Sequence, residues 1–546
     1  MNQTLIEHLE SRAHSLRDPE LTFVDEGRKL TLTGLLREAH DTARGLTALG
    51  VRPGHRVAFV MPNESSFLVM LFAAQYAHAT PVPLAPPFGA GSMPEYVRHV
   101  AGILADGNIG LLVVDSALPT LQDALTAALP DAVVLSQAAI PGADEELPAG
   151  RPDFEHPAFI QYTSGSTSAP KGVTLTHGNL VAGLRAIAEP SAVTPQDKWG
   201  IWAPLFHDMG IFAFLTALSA GCDVVLWHPR TFVRDPLGWL GRFADEGCTL
   251  SPAPNFALDV MVAAAKAKGL PDGLDLSRWR LLYNGGEPVN AHSVEEFQQT
   301  FGPVGFRPET MRPVLGMAEA TLLVTFPPLG RAPLVRWADR KALLDGAFVP
   351  APAHEDGSRA LVSVGLAVPG VEIRISADGR AAPEGRVGEI ELSGAVVTRG
   401  YFGRPVGDER THDGWLRTGD LGVIIDGELY MVGRAKDLIT VRGLNYYAED
   451  VEAVIRDLPG LSRKRCVAIP DDERMLVVAE TALEDPAERA ALLDEIRNRI
   501  QTRIGLPDTK VRLAPPRFLP LTSSGKVQRR RLRSLFGELA GSPAGS

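Results

Sequence analysis

The stretch Tyr162-Thr163-Ser164-Gly165-Ser166-Thr167-Ser168-Ala169-Pro170-Lys171-Gly172 follows directly on the apolar run Ala158-Phe159-Ile160-Gln161-Tyr162. An apolar run of that length which ends in small residues reads as a buried strand opening into a loop. Thr163, Ser164, Ser166, Thr167 and Ser168 bring five hydroxyls, Gly165 leaves backbone N–H groups accessible, and Lys171 adds one ammonium. That set suits a polyphosphate. It is not a Walker A loop, because no Gly precedes Lys171 and no Ser or Thr follows it. A flexible Ser/Gly connector is the competing reading; the strand before the loop and the lysine within it argue against that.

Working outward, strand-like runs at residues 56–60, 110–114 and 158–162 alternate with helical stretches at 33–49 and 66–78. This rhythm predicts an α/β fold, with layered and largely parallel sheets in a large N-terminal domain. Residues 140–157, rich in Pro, Gly and acids, read as a surface connection. Between residues 373 and 429 short strands are separated by turn residues such as Ala377-Asp378-Gly379 and Asp426-Gly427, which predicts a small β-rich subdomain at about 345–433. After Gly433 the pattern changes to helices at 451–458 and 488–504 around strands at 466–469 and 475–480, an α+β lid. The expected division is therefore 1–433 and 434–546.

The chain has 546 residues, and at roughly 150 residues per domain two to four packed units are expected. With 54 Lys and Arg against 65 Asp and Glu, the formal charge of −11 repels polyanions, so phosphates need local clusters of cations and general nucleic-acid binding is excluded. Three widely spaced cysteines, Cys222, Cys248 and Cys466, fit a reducing cytoplasm and cannot build a zinc site. The opening decapeptide lacks a basic and an apolar region, so no export signal is expected. The apolar stretches at 67–74 and 211–218 fall short of the ~18 residues of a membrane span and read as buried elements.

Four further segments complete a pattern with the loop. These are Tyr283-Asn284-Gly285-Gly286-Glu287-Pro288, Leu315-Gly316-Met317-Ala318-Glu319-Ala320-Thr321, Gly414-Trp415-Leu416-Arg417-Thr418-Gly419-Asp420 and Thr522-Ser523-Ser524-Gly525-Lys526. Taken alone, Thr418-Gly419-Asp420 is equally a turn whose Asp bonds its own backbone. Together and in this order, the segments resemble the adenylate-forming enzymes, the superfamily of acyl-CoA synthetases, luciferases and peptide-synthetase adenylation domains. The resemblance spans nearly the whole chain. It implies that Thr163, Ser164, Gly165, Ser166, Thr167 and Lys171 handle the phosphates of ATP, and that Gly286, Glu287 and Pro288 lie along the adenine. It further implies that Leu315 and Gly316 contact the nucleotide, Glu319 assists Mg²⁺ binding, and Asp420 takes the ribose hydroxyls. Gly433-Arg434-Ala435-Lys436-Asp437 resembles the inter-domain hinge, with Arg434 toward the nucleotide and Asp437 as the pivot; Lys526 is the implied catalytic lysine, swinging in on a mobile lid. Where relatives stack an aromatic ring on the adenine this chain has Leu315, which forgoes ~0.5–1.5 kcal/mol of stacking. Ser168 stands where many relatives have Gly.

Within that superfamily the chain is most similar to the fatty acyl-AMP ligases. The resemblance rests on His207-Asp208-Met209-Gly210, Pro252-Ala253-Pro254-Asn255-Phe256-Ala257, the hinge continuation Arg442-Gly443-Leu444-Asn445-Tyr446-Tyr447, and a long stretch at 325–368. It implies an acid pocket at Phe206, His207, Asp208, Met209, Asn255 and Phe256, an insertion packed between the domains, and transfer of the acyl group to an acyl carrier protein. A metal or triad role for His207-Asp208 is disfavoured, since no third ligand and no Gly-x-Ser-x-Gly elbow accompanies the pair. The basic run Arg529-Arg530-Arg531 with Arg533 is expected to meet the acidic carrier protein. The implied activity uses ATP and Mg²⁺ to make an acyl-adenylate from a medium- or long-chain fatty acid. Two alternatives stay open: an acyl-CoA or aryl-CoA ligase, and a non-catalytic homologue that only binds.

Overall fold

In the computed structural model the described residues are 3–15, 17–87, 92–163, 170–405, 407–441, 444–462, 465–471, 474–506, 509–521, 527–529 and 531–534. The chain divides into two compact units. The first comprises Met1–Pro333, Val364–Ile373 and Leu392–Leu416, and the second Leu334–Ser363, Arg374–Glu391 and Arg417–Ser546.

The first unit carries a seven-stranded sheet of β1 (Glu20–Phe23), β2 (Arg28–Thr31), β3 (Lys198–Ile201), β4 (Asp223–Leu226), β5 (Leu250–Ala253), β6 (Leu281–Asn284) and β7 (Met311–Pro313). Their order is β7-β6-β5-β3-β4-β1-β2, parallel throughout except for the edge strand β2. Strands of this kind are buried on both faces and need not alternate; Leu281-Leu282-Tyr283-Asn284 is buried at every position. One large cluster of the core gathers Trp202, Trp227, Trp239, Phe243 and Trp279. A second, four-stranded parallel sheet holds Arg56–Val60, Thr80–Leu84, Leu111–Val114 and Val133–Ser136.

The apolar stretches too short to span a membrane lie in the buried helices Ser65–Tyr76 and α1 (Asp208–Ala220). Among the described residues no helix is long and apolar enough to cross a membrane. The decisive strand, Pro157–Thr163, is not parallel. It forms a hairpin with Lys171–Thr176 in which Thr163 faces Lys171, so the loop closes a β-hairpin. Gln75 Nε2 and Thr80 Oγ1 donate to the carbonyls of Ala158 and Pro157 at 2.9 and 3.0 Å, fixing the start of the hairpin.

The second unit is mixed. Adjacent strands Glu428–Arg434, Leu416–Ile425 and Gly388–Gly394 form the β-rich part. A three-stranded sheet of Cys466–Asp471, Arg474–Glu480 and Lys510–Ala514 packs with the helices Ala448–Ile455 and Pro486–Ile504 around Val451, Ile455, Val477 and Ile496. The α+β stretch thus shares one compact unit with part of the expected β-rich stretch and with most of the long 325–368 stretch, while 364–373 and 392–416 belong to the first unit. The three cysteines are free thiols.

Candidate functional site

The hairpin's second strand starts the site. Lys171 Nζ lies 5.0 Å from the centre of the Tyr401 ring. The Tyr401 hydroxyl donates to Glu319 Oε1 at 3.0 Å. A run of backbone contacts holds these three side chains together. Val173 bridges Tyr401, Phe402 N–H donates to the Gly172 carbonyl at 2.8 Å, and Thr398 N–H donates to the Glu319 carbonyl at 2.7 Å. Burial, then the Glu319 charge, raises the Tyr401 pKa, so the phenol stays a donor. At the loop's far end Arg404 donates to the Pro170 carbonyl at 2.7 Å and to Asp106 at 3.2 Å, and Tyr162 donates to the same Asp106 at 2.9 Å. Ser164, Gly165, Ser166 and Thr167 fall outside the described residues, and Thr163 is described by its backbone in the strand.

Glu319 sits in a strained turn. A 3-10 segment, Ala318–Ala320, runs into Thr321 at φ 48° and Leu322 at φ 79°, two successive non-glycine residues in left-handed conformation. Each costs of order 1 kcal/mol or more and persists only where surroundings enforce it. Here Thr321 Oγ1 donates to the Val396 carbonyl at 2.7 Å, and Gly316 pairs with Leu323 across the turn. A Cβ on Gly316 would stand 2.6 Å from the Leu322 carbonyl oxygen, so the turn requires glycine there. Beside it Leu315 is buried, and its N–H donates to Thr325 Oγ1 at 3.1 Å.

Both ends of this turn line an apolar cavity of about 30 Å³, walled by Gly316, Leu322, Leu323, Met209, Ala213, Gly286, Tyr283 and Trp199. It lies beside the carboxyl ends of parallel strands, where open α/β sheets bind ligands. Gly286 has φ +76°, and a Cβ on it would meet Met209 Cε at 2.9 Å.

Of the six residues expected in the acid pocket, Met209 is the one that lines this cavity among the described residues. His207 and Asp208 instead start helix α1. His207 Nδ1 accepts from Met209 N–H at 3.4 Å, Asp208 Oδ1 accepts from the same N–H at 2.7 Å, and the two side chains stand 2.6 Å apart. The Phe206 carbonyl accepts from Gln161 at 3.2 Å. Asn255 Oδ1 accepts from Asn290 N–H at 3.0 Å, and the Phe256 ring meets Trp202 edge-on at 6.1 Å. Glu287 takes the Phe256 N–H at the start of helix Asn255–Lys268, a favourable place for an anion. Pro288 is exposed.

In the second unit, Asp420 and Arg434 face each other across a strand pair, Oδ1 to Nε at 2.7 Å. Asp437 ends a 3-10 turn, 3.6 Å from Arg529 Nε. Arg529 is engaged within the chain: both its terminal nitrogens donate to the half-buried Glu452, at 2.8 and 3.0 Å. Arg530 and Lys526 lie outside the described residues. Burial pushes the Glu452 carboxyl up to about 7 against the pull of Arg529.

Sequence reasoning missed Tyr401, Thr398 and Arg404. The one signal was Gly400-Tyr401, an aromatic beside a glycine in the β-rich stretch, which has no chemistry until folding sets it against Lys171 and Glu319.

The AMP-binding enzyme family matches residues 10–402. The chain belongs to that family. It is 33% identical to the long-chain-fatty-acid–AMP ligase FadD32 of Mycolicibacterium smegmatis, covering 89% of this chain and 85% of that one. It is 29% identical to the medium-chain-fatty-acid–[acyl-carrier-protein] ligase TtuA of Teredinibacter turnerae, again over 89% and 85%. A solved chain from the study of fatty acyl-adenylate ligases of E. coli and L. pneumophila superposes with a TM-score of 0.92 at 33% identity, covering 99% of each. Within the AMP-binding family, then, the chain sits on the fatty acyl-AMP ligase branch. Its Glu319 suits a divalent cation in the manner of Mg²⁺, which takes one or two carboxylates and leaves the rest of its shell to phosphates and water. No group of three or more His, Cys, Asp or Glu gathers among the described residues.

Proposed function

We propose that this chain joins a medium- or long-chain fatty acid to AMP, releasing pyrophosphate from ATP, and then passes the acyl group to the phosphopantetheine thiol of an acyl carrier protein. The observation that carries this reading is the turn around Glu319. Its ends, Gly316 and Leu322-Leu323, line an apolar cavity, while Glu319 between them bonds Tyr401, whose ring neighbours Lys171. A fatty acid with its tail in that cavity brings its carboxylate to the groups that handle phosphate. Relatives named for fatty-acid–AMP ligation and for acyl-carrier-protein ligation support the two halves of the reaction.

The chemistry asks little covalent work of the protein. A free carboxylic acid, with pKa near the ~4 of Asp and Glu, is an anion at pH 7, so no general base is needed. One carboxylate oxygen attacks the α-phosphorus, a mixed anhydride bond forms, and the bond to pyrophosphate breaks with its electrons. What remains is positioning and relief of charge. Lys171 and the loop at 163–170 serve the phosphates, Asp420 with Arg434 the ribose, and Lys526, by the family resemblance, the carboxylate as it attacks. Glu319, steadied by Tyr401, would hold Mg²⁺, which supplies charge neutralisation to the phosphates when bound.

The test is product analysis with ATP, Mg²⁺ and decanoate. Mass spectrometry is expected to find decanoyl-AMP, and then a decanoylated carrier protein when the phosphopantetheinylated form is added. Rapid AMP release with CoA and no carrier protein would contradict the second half; no acyl-AMP with any fatty acid would contradict the first.

A further inference from the structure

The apolar cavity has a floor. Trp199 is the second residue of β3, in register with Leu250 and through it with Leu281, whereas Tyr283 lies two residues nearer the carboxyl edge of β6. Their rings stack at 5.4 Å and 14°, and both line the cavity. Behind this stack the surroundings turn polar. Tyr283 neighbours Ser191 and the Arg280–Asp197 ion pair, whose charges stand 2.7 Å apart. Trp199 lies beside Cys222, whose thiol donates to the Thr194 carbonyl at 3.1 Å. The stack is the last apolar layer before those groups.

The side walls point the same way. Ala213, Gly286 and Gly316 leave a narrow slot, and Met209, an adaptable side chain, borders it at Gly286. The present 30 Å³ holds one or two waters, so a tail must displace Met209 to enter, whereas Trp199 is fixed between sheet and helix at 1% exposure. From the level of Leu281 to Asn284 at the strand's carboxyl end is three residues, roughly 10 Å or the length of about eight methylenes.

We infer that the Trp199–Tyr283 stack sets the length of the acyl chain, the terminal methyl stopping against the Trp199 indole, so that acids of about ten carbons are preferred over long-chain ones. This rests on the fatty-acid reading above. Trp199 is the ruler and not Tyr283, because shortening Tyr283 would bring the tail to the Arg280–Asp197 charges, while shortening Trp199 opens space beside a buried thiol.

The experiment measures pyrophosphate exchange by the full chain with saturated acids of 6 to 16 carbons, for wild type, Trp199→Leu and Ala213→Leu. Each methylene newly housed is worth about fourfold in kcat/KM. Trp199→Leu is expected to raise the hexadecanoate-to-decanoate ratio at least tenfold, and Ala213→Leu, which narrows the slot, to lower the decanoate-to-hexanoate ratio at least tenfold. A wild type that takes hexadecanoate as readily as decanoate would overturn the inference. So would a chain-length profile within twofold of wild type in Trp199→Leu that melts like wild type; if that variant does not fold, an unchanged profile in Ala213→Leu decides against the slot. Exchange with aromatic acids alone would instead remove the fatty-acid reading and this inference with it.

Discussion

Tyr401 joins the two residues of the site that carry opposite charge. Its hydroxyl holds Glu319 and its ring stands beside Lys171. A hydrogen bond to a charged acceptor contributes about 1.5–3 kcal/mol, so Tyr401→Phe should lower kcat for exchange by about tenfold. Its Mg²⁺ requirement should rise too; a magnesium titration of the variant identical to wild type would count against the link. Lys171 and Glu319 stand out in the sequence because each sits in a segment of distinctive composition, whereas Tyr401 is 82 residues from Glu319 and meets it through folding alone. A buried histidine gives a second, independent prediction. Burial, reinforced by Arg12 and Arg185, lowers the His8 pKa to about 4, and its Nε2 lies 2.6 Å from Ser219 Oγ. The unfolded chain, with His near ~6.5, takes up the proton first, so stability conferred by neutral His8 is present above pH 6.5 and is lost as pH falls toward 4. Between pH 7 and pH 5 the wild type should lose about 2 kcal/mol more than His8→Gln in urea unfolding; equal losses would contradict the burial argument.

Among elements, helix α1 is fixed by close backbone approach. A Cβ on Gly210 would stand 2.1 Å from the Pro204 carbonyl oxygen and 2.7 Å from that of Ala203, neither of which can yield as a side chain could. Gly210→Ala should therefore cost about 2 kcal/mol, and, because Met209 and Ala213 ride on the same helix, raise KM for the acid. Thermal unfolding and acid saturation curves matching wild type would contradict this. In the second unit Arg340 and Arg359 both pair with buried Asp450, at 2.9 and 2.8 Å. Those arginines belong to the long 325–368 stretch and Asp450 to the helix Ala448–Ile455, so the stretch expected between domains is tied to the C-terminal residues inside one compact unit. Asp450→Asn takes away the carboxylate that both guanidinium groups pair with in a buried place and should destabilise by about 3 kcal/mol, read as faster hydrogen exchange across 448–455. The amphipathic helix Leu32–Ala48 and the helix Ser65–Tyr76, apolar nearly all round, were legible to within a residue or two. The antiparallel sense of the Pro157–Thr163 hairpin was not, since a buried strand has the same composition whichever way its neighbour runs. The strand Lys510–Ala514 escaped notice although Lys510 and Arg512 alternate with Val511 and Leu513 as in a half-buried strand.

For the whole molecule, a chain of net charge −11 that acts on ATP must gather its cations locally, and Lys171, Arg434 and Lys526 are the residues proposed to do so. The fold class was legible from the rhythm of strands and helices, the superfamily from five ordered segments, and its branch from the segments at 207–210, 252–257 and 442–447 with the long stretch at 325–368. The division between units was not, because it depends on which strands the β-rich stretch pairs with, a long-range choice that local composition does not encode. The measurement that bears most directly on the whole account is exchange of labelled pyrophosphate into ATP by the full-length protein, with a fatty acid, with amino acids and with no acid. The account predicts exchange that requires the fatty acid and falls at least ~100-fold in Lys526→Ala. Exchange that proceeds equally without an acid, or that survives intact in Lys526→Ala, would contradict it.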